Sequence, residues 1–290
     1  MFTNIQYGSS TNTSAMDVCS VKEDCAWVID GADPLFPAHI SDCASDGEWF
    51  VKEFNSFLKK HMALSYRSME DLIKRGVQMI HQKYLKFPDA EKLFDLEMPC
   101  ASCAIVQIQQ DQLVYFVIGN CEVLVSFTSK QTKSFSDLRL QMLDAKLLQV
   151  CQELKVKQRM PMFQVRHFLN HMLVENRLRR NIAEGYYVLG EDCEAVSHAL
   201  CGSIPLKDIA SVSLVCNGFH QYVNCSRVRK HLDEYLKVKR SMEFVEIYDQ
   251  MLVGKNGNEQ MARYLQKELS GQSTVVCFDV LDSKQIGVHK

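Results

Sequence analysis

The chain has 290 residues, with 33 Lys and Arg against 35 Asp and Glu, a formal net charge of −2 and 47% hydrophobic residues. That is too apolar and too weakly charged for a disordered chain, and too near neutral for a protein that grips nucleic acid by charge. No apolar run reaches the ~18 to 20 residues of a bilayer span, and the polar stretch Met1–Ser14 does not read as a signal peptide.

From the N-terminus, Asp24–Asp30 (DCAWVID) is an apolar run closed by acids and followed by Gly-Ala-Asp-Pro, a buried strand delivering a turn. Trp49, Phe50, Phe54, Phe57 and Leu58 recur at helical spacing, as do Leu72, Ile73, Val77, Ile80 and Tyr84. They predict two amphipathic helices with a break around Leu64–Ser68. Three strands follow in close order, Ser102–Ile108, Leu113–Ile118 and Glu122–Thr128. The short turns Gln109–Gln112 and Gly119–Cys121 between them predict an antiparallel meander. Helical patterns return over about Leu138–Leu154 and Met162–Arg179, then a strand at Tyr186–Leu189 and another at Ile209–Cys216. Ser226–Leu269 is helical in period, and Ser273–Val280 is a last strand. Strands and helices fall in separate blocks, which predicts α+β with antiparallel sheet rather than a doubly wound parallel one. Residues 1–290 read as a single domain.

Twelve cysteines are about twice the usual share. With no export signal, and a chain long enough to bury a core without staples, they read as reduced thiols in a cytoplasmic protein. Cys100-Ala-Ser-Cys103 has no second CxxC to complete a zinc site and opens a strand rather than a helix, so it reads as packing. His167 and His171 share a helix face without the Glu of a HExxH motif. Arg177–Arg180 (RLRR) ends a helix and reads as a solvated, dipole-compatible terminus. Neither a nucleic-acid motif nor a membrane anchor is visible.

The chemistry-bearing segment is Glu23-Asp24-Cys-Ala-Trp-Val-Ile-Asp30-Gly31. Carboxylates flank an apolar strand, and Gly31 allows a sharp turn with an exposed carbonyl. Such oxygen donors suit hard cations, Mg²⁺ or Mn²⁺. Asp24 and Asp30 face the same side of one strand but lie ~20 Å apart along it. A shared site needs the chain to bend, or Glu23 and Asp24 to arrive on a preceding element.

In order along nearly the whole chain, Glu23-Asp24, Val28–Ala32, Ser45–Phe50, Ala101–Cys103, Gly119–Cys121, Arg180–Leu189, Leu214–Phe219 and Ser273–Val276 resemble the segments of the metal-dependent protein phosphatases. These are the PPM type, or type-2C serine/threonine phosphatases, and the compact bacterial branch is the most similar. The resemblance implies a sandwich of two antiparallel β-sheets flanked by α-helices on both outer faces. It implies hydrolysis of phosphoserine and phosphothreonine in proteins by water held between two divalent cations. Asp30 would be the bridging, catalytic carboxylate and the Gly31 carbonyl a ligand. Glu23 and Asp24 would hold one metal, with Asp24 also taking part in catalysis.

Departures from the family pattern fall at the site-forming turns. Asn217-Gly218 stands for Asp-Gly, Gly271-Gln272 for the acidic pair before the last strand, and Gly119-Asn120-Cys121 for Gly-Asp-Ser. Cys103, Cys121 and Cys216 stand where the family usually has Ser or Thr. Each lost carboxylate removes negative charge from a site that must hold two dications. Asn217 keeps only an amide oxygen. The resemblance therefore implies one Mn²⁺ or Mg²⁺ rather than two, and weak or lost phosphatase activity. The alternative is a pseudophosphatase that binds a phosphoprotein or serves a regulatory partner.

Overall fold

The computed structural model describes residues 1–9, 16–32, 35, 39–64, 66–216 and 274–280. Its strands are β1 (Phe2–Ser9), β2 (Asp17–Val21), β3 (Cys25–Ala32), β4 (Cys100–Gln109), β5 (Gln112–Ile118), β6 (Glu122–Phe127), β7 (Thr132–Ser136), β8 (Leu200–Pro205), β9 (Ile209–Val215) and β10 (Thr274–Val280). Its α-helices are α1 (Asp46–His61), α2 (Met69–Tyr84), α3 (Leu138–Gln152) and α4 (Met162–Leu178). Two five-stranded sheets form, ordered β1-β10-β9-β6-β7 and β2-β3-β4-β5-β8, and every ladder is antiparallel. The expected α+β sandwich is the architecture observed.

Alternation along the strands builds the layers. In β3, Ala26 and Val28 face the second sheet, meeting Val212, Leu214, Val276 and Phe278 in one buried cluster. Cys25, Trp27 and Ile29 face the other way and pack with Phe50, Phe54, Ile73 and Ile80 of α1 and α2. Ser45 caps α1 by accepting from the Glu48 N–H at 3.2 Å, and Ser68 caps α2 by accepting from the Asp71 N–H at 3.1 Å. The pattern at 226–269, read as helical, lies outside the described residues.

All six strands of the two sheet interiors (β3, β4, β5, β6, β9, β10) match runs read from the sequence. The four it missed, β1, β2, β7 and β8, are the four sheet edges. Two readings are corrected. The meander is not one: β4 and β5 pair, but β6 belongs to the other sheet, so Gly119–Cys121 carries the chain across the sandwich. Gly119 turns with φ +74°, a conformation glycine takes without steric cost. The strand expected at Tyr186–Leu189 is only two isolated bridges, Arg180 to Tyr186 and Ala101 to Leu189.

Within Arg177–Arg180, Leu178 and Arg179 are exposed, but Arg177 and Arg180 are not the solvated cations expected. Arg180 is buried and donates to the carbonyls of Met98, at 3.0 Å, and Asp95, and to Glu191 at 2.8 Å. Arg177 donates to Cys100 Sγ at 2.8 Å. These bonds pin the segment after α4 onto the approach to β4.

Candidate metal centre

One end of the sandwich gathers the start of β2, the end of β3, the start of β4, the β5–β6 crossing, the end of β9 and the start of β10. Asp17 opens β2 directly opposite Asp30 in the antiparallel ladder with β3. Directly opposed residues share a face, and like charges there repel unless something positive intervenes. The two side chains are hydrogen-bonded to each other, and Thr274 of β10 also bonds Asp17. Burial first, then the charge of Asp30, holds the Asp17 carboxyl well above the usual carboxylate range. Asp17 Oδ2 is buried with no hydrogen-bond partner.

Gly31, next to Asp30, is fixed by space. Its N–H donates to the Met16 carbonyl at 2.9 Å. A Cβ there would lie 2.5 Å from Val51 Cγ2 and 3.0 Å from the Met16 oxygen. Only glycine lets the backbone pass this close to α1. Asp46, at the start of that helix, is buried and fully engaged. It accepts from the N–H groups of Ile40, at 3.2 Å, and Ser41, at 2.9 Å, and from the Tyr84 hydroxyl at 2.8 Å.

On its other side Asp30 pairs with Ser102 of β4. The buried Ser102 Oγ accepts from the Asn120 N–H at 3.2 Å. Asn120 is 6% exposed, and its Oδ1 has no partner. The row Asp17, Asp30, Ser102, Asn120 thus crosses the end of the sheet with two buried oxygens unsatisfied. Buried polar atoms are normally paired, and an exception calls for an explanation such as an ion.

The sequence-predicted residues divide. Asp30 and Gly31 lie in this row. Glu23 and Asp24 do not: they form the exposed tip of the β2–β3 hairpin, where the Asp24 carbonyl accepts from the Ile108 N–H. At ~3.3 Å per residue the tip stands about 20 Å from Asp30. The preceding element does deliver a carboxylate to Asp30, but it is that of Asp17. The missed signal was the hairpin itself. A turn centred on Glu23–Asp24 folds back to set Asp17 against Asp30. Asn217, like Gly271, lies outside the described residues.

The cysteines divide too. Cys121 and Cys216 are buried in the layer between the sheets, and both feel the charges of Asp17 and Asp30. Cys103, one position beyond Ser102, points to the helix side. Cys100 and Cys103 are an odd number of residues apart on one strand and face opposite ways, so this CxxC cannot chelate. Among the described residues no cysteine is in a disulfide. His167 and His171 lie with ring centroids 5.6 Å apart, and among the described residues no group of three or more His, Cys, Asp or Glu is arranged to hold a metal ion by itself.

The donor set at the sheet end suits a hard divalent cation. It comprises two opposed carboxylates, one with an orphaned oxygen, the backbone at glycine and a buried amide oxygen. Among the described residues it holds two acids.

No protein-family model matches the chain, and no curated protein is similar to it in sequence. Solved structures do match. The serine/threonine phosphatase Stp1 from Staphylococcus aureus superposes with a TM-score of 0.52 at 14% identity, over 98% of this chain and 96% of its own. The serine/threonine phosphatase PstP/Ppp of Mycobacterium tuberculosis gives 0.54 at 10% identity, over 97% and 100%. The catalytic domain of serine/threonine protein phosphatase PstP in complex with two manganese ions gives 0.52 at 11% identity, over 96% and 99%. The fold of this chain is that of the bacterial PPM serine/threonine phosphatases, along nearly its full length.

Proposed function

We propose that the chain is a PPM-type serine/threonine phosphatase relative that holds one divalent cation, Mn²⁺ or Mg²⁺, and has weak or lost phosphomonoesterase activity. The observation that carries this reading is the opposed pair Asp17 and Asp30, with the orphaned Asp17 Oδ2, at the end of a phosphatase sandwich. Asp17 and Asp30 would hold the ion, with the Gly31 carbonyl and the Asn120 amide oxygen as neutral donors. A bound cation of this kind lowers the pKa of its water and polarises a phosphoryl oxygen. Asp30 and Asp17 keep the site negative enough to attract the ion, and Ser102 holds the Asn120 turn in place.

The impairment rests on charge. The acids that the family pattern places at 217, 271 and 120 are Asn, Gly and Asn here. A two-metal mechanism that loses one ion forfeits several kcal/mol of barrier lowering. Asn120 also favours the second reading, a pseudophosphatase that binds a phosphoserine or phosphothreonine protein or serves a regulatory partner. A buried neutral amide can donate to a phosphate oxygen where an acid would repel it. The chain would work in the cytoplasm, without nucleic acid. No described helix is long and apolar enough to cross a membrane.

Isothermal titration with Mn²⁺ tests the reading, followed by p-nitrophenyl phosphate turnover with Asp30→Asn as control. One site, and turnover at or near the Asp30→Asn background, is the expected result. Two tight sites and strong manganese-dependent turnover abolished by Asp30→Asn would overturn the impairment.

A further inference from the structure

Cys121 immediately precedes β6, and Cys216 immediately follows β9. The two strands pair antiparallel with Glu122 opposite Val215. One step further along the same ladder sets Cys121 opposite Cys216. Opposed residues of an antiparallel pair have Cα atoms about 4.5 to 5.5 Å apart, inside the range of about 4.4 to 6.8 Å that a disulfide spans. Both side chains are 0% exposed, and their thiols are hydrogen-bonded to each other. The cysteine excess thus contains one pair already positioned for a covalent bond.

We infer that Cys121 and Cys216 are a modification site: a dithiol that a peroxide converts to a reversible cross-strand disulfide. One sulfur attacks hydrogen peroxide, the O–O bond breaks, and a sulfenic acid and one water result. The second sulfur displaces the hydroxyl, so that the S–S bond forms, the S–O bond breaks and a second water leaves. Two thiols are oxidised and one peroxide is reduced. A cellular dithiol reverses the step by exchange.

The bond would clamp the Asn120–Cys121 crossing to the end of β9, beside Asp30, whose backbone the Cys121 thiol touches. Burial keeps attack slow, so the pair answers sustained rather than brief oxidation. A regulatory effect on the cation site rests on the function proposed above; formation of the bond does not.

The full-length chain is treated with excess hydrogen peroxide, alkylated, digested with pepsin at acidic pH and sequenced by mass spectrometry without reduction. The expected product is a Cys121–Cys216 cross-linked peptide, lighter by two hydrogens, lost on reduction and absent from Cys216→Ser. Recovery of both cysteines alkylated, over-oxidised or linked to other partners overturns the inference. Mapping of the unmutated chain decides this even if the variant fails to fold. Mn²⁺ titration of reduced and oxidised protein is the second arm. Failure of the reduced protein to bind Mn²⁺ counts against the proposed function alone, because the peptide map reads the bond directly.

Discussion

Asp17 stands directly across the β2–β3 ladder from Asp30, and their carboxyl groups share a hydrogen bond on the inner face of the sandwich. Two acids so placed favour a proton or a cation between them. Asp17→Asn should therefore weaken Mn²⁺ binding by more than the about 10- to 100-fold that loss of a merely supporting partner costs. Asp24→Asn, at the hairpin tip, should leave the affinity unchanged. Calorimetric titration of the two variants checks both, and an equal loss at Asp24 would return the site to the tip.

The same pair sets a pH dependence. The folded chain holds the Asp17 proton more tightly than the unfolded chain, whose carboxyl titrates near 3.8. Stability from this group is complete below the unfolded value and is lost as pH rises through the raised folded value. Metal-free protein in chelator should lose thermal stability over that rise, and Asp17→Asn should flatten the loss. A melting series across pH tests the sign. Cation binding should also release a proton, seen as a binding enthalpy that changes with the ionisation heat of the buffer.

Asp46 satisfies three donors, the part-buried N–H groups of Ile40 and Ser41 and the buried Tyr84 hydroxyl. Truncation leaves them unpaired, and each such loss costs about 1 to 3 kcal/mol. Asp46→Ala should lower unfolding free energy by about 3 kcal/mol in urea denaturation, whereas Tyr84→Phe, which removes one of the three bonds, should cost about 1 kcal/mol.

Gly119 carries the crossing between sheets at φ +74°, and a Cβ there would sit 2.1 Å from Ser102 Oγ and 2.6 Å from Ser102 Cβ. Backbone strain and overpacking together should make Gly119→Ala cost about 2 to 4 kcal/mol in the same assay. Adding Ser102→Ala should recover little of it, because the Cβ contact remains.

The interior of each sheet was legible because a strand buried on both faces is an apolar run. Cys25–Ile29 and Leu214–Val215 announce themselves in that way. The edges were not. In β1, Phe2 is buried while Ile5 and Tyr7 are exposed, and β7 (TKSFS) buries only Phe135. Such strands are defined by partners distant in sequence, as Phe2 is by Val280. The site was half legible for a related reason. Asp30 ends an interior apolar strand, whereas Asp17 opens an edge strand with no apolar run, and only the turn at Glu23–Asp24 gives its register. Arg180 misled because helix-end cations are usually solvated, and here the chain after α4 folds down onto Met98.

The hairpin that ends in Glu23 and Asp24 acts as a ruler for chemistry at its far end. Its length alone decides which residue faces Asp30. Lengthening the tip by one residue would offset the two strands' alternation and turn the Asp17 carboxyl toward the helices. Lengthening it by two would slide Cys19 into its place if the ladder re-formed from the tip. The cation pair can therefore be made or abolished by editing loop length some 20 Å away, with neither carboxylate touched.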